Sequence, residues 1–72
     1  MNGQPSKFLH GGFTANLTID YVNKEFEYFL FDRDNQQVHH ATGYFKTDQD
    51  INELIKEKIE DVKKNPQDYY TA

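Results

Sequence analysis

Near residue 47 the hydrophobic pattern of this chain changes its period, and few folds accommodate the change. Before that point apolar residues alternate with polar ones: Phe13, Ala15, Leu17, Ile19 and Tyr21 are interleaved with Thr14, Asn16, Thr18 and Asp20. Beyond it Ile51, Leu54, Ile55, Ile59 and Val62 recur at helical spacing. Period two describes a strand with one buried face, and the later spacing describes an amphipathic helix. The expected fold is α+β, a three-stranded antiparallel sheet packed on one face by a single C-terminal helix, βββα.

Turn and cap residues place the boundaries. A first strand is expected over 13–22 and a second over 25–32, joined by a two-residue turn at Asn23-Lys24. That turn sets Tyr21 opposite Phe26, Ile19 opposite Tyr28 and Leu17 opposite Leu30, each pair apolar on one face. Asp34-Asn35 form the next turn, because both side chains tolerate turn conformations. The third strand, 37–46, then sets Leu30 opposite His39, Tyr28 opposite Ala41 and Phe26 opposite Gly43. A three-residue loop would instead bring Tyr44, Thr42 and His40 to that face.

Thr47 is a good N-cap with Asp50 at the third helical position, so the helix is read as 48–64. Lys63 and Lys64 suit its negative end, Asn65 suits a left-handed cap and Pro66 prevents continuation. Residues 1–7 read as a flexible leader, 8–65 as one domain and 66–72 as a tail. Phe8-Leu9-His10-Gly11-Gly12 reads equally as a short edge strand or a loop.

One helix can cover only one sheet face. On this register it covers Phe13, Leu17, Ile19, Tyr21, Phe26, Tyr28, Leu30, Ala41 and Phe45, with Leu54 and Ile55 pointing inward. Phe29, Phe31, Val38, His40 and Tyr44 fall on the opposite, open face. A cluster of aromatics is seldom left bare in a monomer, so these five residues are the candidate partner-binding surface. The expected occupant is a protein partner or a second copy of the chain. The alternative is a nucleic acid whose bases stack on Phe29, Phe31 and Tyr44.

Composition narrows the choice. The 72 residues carry a net charge of −4, which opposes a generic phosphate-binding face. The helix adds an acidic surface of Glu53, Glu57, Glu60 and Asp61, suited to a basic partner or to imitating phosphates. There is no cysteine, and the only serine, Ser6, falls in the leader, so no nucleophile stands out and no enzyme activity is expected. His39 and His40 are adjacent in a strand and point to opposite faces, so neither a metal site nor a cofactor is expected.

No apolar run approaches the ~20 residues of a membrane span, and no signal-peptide core precedes Phe8. A cytoplasmic, non-membrane protein is expected. Enrichment in Asn, Lys, Ile, Phe and Tyr is what AT-rich coding produces, which points to a prokaryotic or phage source and to a small inhibitor from a mobile element. The order strand, strand, strand, helix resembles the arm-binding domains of some phage-type integrases. Their sheets are basic, whereas this one carries Asp20, Glu25, Glu27, Asp32 and Asp34 against Lys24, Arg33 and Lys46. The resemblance therefore implies topology alone.

Overall fold

Two adjacent glycines set the first hairpin. Gly11 and Gly12 have φ of 57° and 87°, the left-handed values that a two-residue mirror-image turn requires. They join β1 (Gln4–His10) to β2 (Phe13–Asp20), with His10 opposite Phe13 and Gln4 opposite Ile19. The computed structural model describes residues 3–70 and continues with β3 (Glu25–Phe31), β4 (Gln37–Tyr44) and α1 (Asp48–Lys64). All four strands are antiparallel, in the order β1-β2-β3-β4.

Among the described residues the sheet thus has four strands, one more than the three expected. Gln4–Lys7, read as leader from sequence, belong to β1; Met1 and Asn2 lie outside the described residues. Phe8–His10, open between an edge strand and a loop in the sequence, are the second half of the strand, whereas Pro5, Ser6 and Lys7 hid the first half because they are poor strand formers. An edge strand tolerates them, since one of its sides pairs with nothing. The integrase-like order of three strands and a helix does not describe this chain.

The second turn is longer than expected. Asp20 pairs with Glu25, leaving residues 21–24 in the connection, and Ile19 lies opposite Phe26, Leu17 opposite Tyr28 and Ala15 opposite Leu30. The buried Asp20 carboxylate builds this turn by accepting the N–H groups of Val22 at 3.0 Å and Asn23 at 3.1 Å, and the Asn23 amide at 2.9 Å. The positive φ falls on Lys24, not Asn23. The register slips by two residues, an even number, so every side chain keeps its expected face. Tyr21, expected in the core, is exposed, and its hydroxyl donates to Asp48 at 3.2 Å.

Between β3 and β4 the expected register holds from Phe26–Gly43 through Leu30–His39. Phe31 then pairs with Gln37, and Val38 is an extra residue at a bulge. The turn itself centres on Arg33-Asp34, with the Asn35 N–H bonded to the Asp32 carbonyl at 3.1 Å and Asn35 at φ 61°.

The helix spans the expected residues. Thr47 caps it, its hydroxyl accepting the Asp50 N–H while the Asp50 carboxylate accepts the Thr47 N–H. Asn65 ends it at φ −130°, not in the left-handed form expected. Ile51, Ile55, Ile59 and Val62 are buried against Leu17, Ile19, Phe26, Tyr28 and Leu30. Leu54 is 43 % exposed, which corrects its placement in the core. The sequence after α1 folds back: Pro66–Asp68 form one turn of 3-10 helix, Tyr69 donates to Asp61, and Tyr70 donates to Asp32 at 2.9 Å. Among the described residues no helix is long and apolar enough to cross a membrane.

Candidate functional site

Side chains from four strands meet on the open face in rows set by the pairing. One row runs Lys7, Asn16, Phe29, His40, and the next runs Leu9, Thr14, Phe31, Gln37. A third is Pro5, Thr18, Glu27, Thr42. Phe29 and Phe31 therefore sit mid-sheet, ringed by polar side chains, and each is half-buried by its neighbours alone. Among the described residues no element crosses this face.

Phe29 and His40 are stacked face to face, with centroids 4.3 Å apart and planes 7° from parallel. The Glu27 carboxylate lies 2.8 Å from His40 Nε2 and holds the imidazole in that orientation. Such a platform is pre-ordered, so little side-chain entropy is lost when a partner settles on it. Tyr44, 79 % exposed, stands at the far end of the face beside Glu25. Leu9, 71 % exposed, adds an apolar residue at the opposite corner that sequence reasoning did not select. The sequence left 8–12 open between an edge strand and a loop, and so left the face of Leu9 unassigned; its alternation with Phe8 was the signal that could have placed it.

Val38 does not join this surface. The bulge turns it to the helix side, where it is buried in the core with Phe13 and Leu30. Two successive residues at a bulge share a face, so His39 also lies on the helix side, 5.8 Å from the Tyr69 ring and 5.9 Å from Tyr28. Burial holds the His39 pKa below its ordinary value, and nearby Lys58 adds to the effect. The five residues selected from sequence become four on the open face and one in the core.

The acidic residues of α1 divide between its flanks. Glu60 lies toward β1, 3.2 Å from His10 Nε2 and 3.8 Å from Lys63. Glu57 and Asp61 lie toward β4, and Glu53 is exposed and accepts the Gln49 amide. Asp61 accepts from Tyr69 and from Asn65, which hold its carboxyl below the usual range, and the bond to Asp61 in turn pushes the Tyr69 hydroxyl up to about 12. These carboxylates do not form one surface.

On the helix side α1 leans toward β1, and a groove of about 420 Å³ opens between α1 and β4. Phe26, Tyr28, Ala41 and Gly43 form its floor, with Leu54 and Lys58 on its helix wall. Tyr28 is fully buried beneath it, and its hydroxyl has no hydrogen-bond partner among the described residues. Among the described residues no three His, Asp or Glu side chains gather as metal ligands would. Comparison with protein-family models, with curated proteins and with solved structures found no match.

Proposed function

We propose that this chain is a non-enzymatic protein-binding module that engages a partner protein through the open face of its sheet. The observation that carries the reading is the uncovered pair Phe29 and Phe31, with Phe29 stacked in parallel on a braced His40. Aromatic anchors inside a polar ring have the composition of an interface hot spot. Glu25, Glu27 and the overall charge of −4 favour a partner with a basic rim. The same carboxylates oppose a nucleic-acid backbone, although the stacked platform suits a base as well as a side chain.

The test uses tagged wild type and Phe31→Ser to capture partners from a native lysate, with and without nuclease. Sedimentation and thermal melts of both proteins run alongside. Capture that survives nuclease and is lost in Phe31→Ser, with melts alike, supports the reading. Equal capture by both proteins, or a variant that melts far below a monomeric wild type, overturns it. Nuclease-sensitive capture transfers the site to nucleic acid, and self-association lost in the variant transfers it to a second copy.

A further inference from the structure

The two edges of the sheet are unlike. β1 carries Pro5 and Lys7, residues that blunt an edge against pairing. β4, with sequence QVHHATGY, carries no proline and no Lys, Arg, Asp or Glu. Its bulge disturbs only the end near Val38, and Tyr69 packs on His39 at that same end. The stretch Ala41–Tyr44 is left as a regular strand edge.

The ladder settles which backbone groups face outward there. The Phe45 N–H donates to the Lys24 carbonyl at 3.0 Å, and Phe26 pairs with Gly43. In an antiparallel ladder hydrogen-bonded pairs alternate with non-bonded ones, so Gly43 and Ala41 bond to β3. Thr42 and Tyr44 direct their N–H and C=O groups away from the sheet. These are the groups that an added strand uses.

The two sides of this edge differ in chemistry. On the helix side lies the groove floored by Phe26, Ala41 and Gly43, with the exposed Leu54 on its wall. On the open side a hollow of about 520 Å³ is bordered by Glu25, Glu27, Thr42 and Tyr44. An added strand would send alternate side chains to these two sides. Those beside Gly43 and Ala41 would settle on the apolar floor of the groove, below Leu54 and the charged Glu57, Lys58 and Asp61 of its helix wall. Those beside Thr42 would lie two strand spacings, roughly 10 Å, from Glu27, within reach of a long cationic side chain.

We propose that the β4 edge receives an extended segment of another protein in which apolar residues alternate with Lys or Arg, adding a fifth strand to the sheet. A second copy of this chain fits poorly. Its own β4 would offer only Ala41 and Gly43 to the groove, leaving it unfilled, and would bring two sets of Glu25 and Glu27 together. This edge adjoins the Phe29–Phe31 platform and shares Glu25, Glu27 and Tyr44 with it, but uses neither phenylalanine.

The probe is a fluorescein-labelled peptide of about nine residues alternating valine and lysine, long enough to span a typical strand. Controls are the same peptide with glutamate for lysine, and one with its valines and lysines in separate blocks. Anisotropy titrations should show the alternating lysine peptide binding at least about tenfold tighter than either control. Amide hydrogen exchange at Thr42 and Tyr44 should slow on binding.

Thr42→Pro removes an outward N–H without touching the β3–β4 ladder, and Leu54→Glu puts a charge in the groove. Each should weaken the lysine peptide about tenfold or more, while Gln36→Ala, at an exposed residue of the connection before β4, leaves it within about twofold. Should Thr42→Pro fail to fold, Leu54→Glu and the exchange data decide. Equal binding of the lysine and glutamate peptides, no binding of the lysine peptide, or unchanged exchange at Thr42 and Tyr44 would each overturn the proposal.

Discussion

The Tyr28 hydroxyl gives the sharpest test of the packing. Tyr28 has no exposed surface, and its oxygen meets no hydrogen-bond partner among the described residues. Burial alone pushes its pKa up, and no donor or charge offsets it. An unsatisfied buried polar group costs ~1–3 kcal/mol of desolvation. Tyr28→Phe removes the group and keeps the ring, with its 6.2 Å stacking on Phe26 and its contact with His39. The void left by one oxygen forfeits only a few contacts of ~0.1–0.2 kcal/mol each. Balanced together, the substitution should stabilise the fold by ~1–2 kcal/mol. With a urea slope of ~1 kcal/mol/M for so short a chain, the midpoint should rise by ~1–2 M. Urea melts of both proteins, followed by far-ultraviolet circular dichroism, check this. A Tyr28→Phe midpoint below that of wild type would mean that the hydroxyl is bonded in the folded state, which would refute the reasoning.

The buried stripe of α1 makes a paired prediction: Ile55→Ala should cost ~2–5 kcal/mol, because Ile55 has no exposed surface. The adjacent Leu54→Ala should cost less, about 1 kcal/mol, because Leu54 is 43 % exposed; equal losses in denaturant melts would overturn the helix orientation. Stability should fall in two steps on acidification. Burial depresses the His39 pKa, so the folded state binds fewer protons, and stability present above about 6.5 is lost as pH falls toward the folded value. Asp20, Asp32 and Asp61 are depressed by hydrogen bonds, so their contribution persists above about 3.9 and is lost as pH falls through their lower folded values. Melts across this range should lose the first step in His39→Phe and part of the second in Asp20→Asn, and unchanged profiles in both variants would reject the assignment.

The change of period at residue 47 is local information, and it determined what local information can. Alternation from Phe13 to Ile19 and from Phe26 to Leu30 identified two strands and sorted their faces. Thr47 and Asp50 located the helix start because a cap satisfies its donors within one turn of the chain. The faces even survived a mistaken register, since the Asp20 turn moved the pairing by two residues and side chains repeat every two. Signals that depend on distant partners were not legible. Gln4–Lys7 of β1 read as a leader, and Phe8–His10 as a strand or a loop, until β2 is beside them, because an edge strand draws its stability from backbone pairing and needs few apolar residues. Val38 alternates correctly for the open face, yet the bulge opposite Phe31 turns it into the core. Leu54 carries the helical spacing of a core residue, but α1 leans toward β1 and leaves it above an open groove. Sequence set which face each regular residue takes. Tertiary packing decided how far one helix reaches across four strands, and therefore which strand edge and which aromatic rings remain open to a partner.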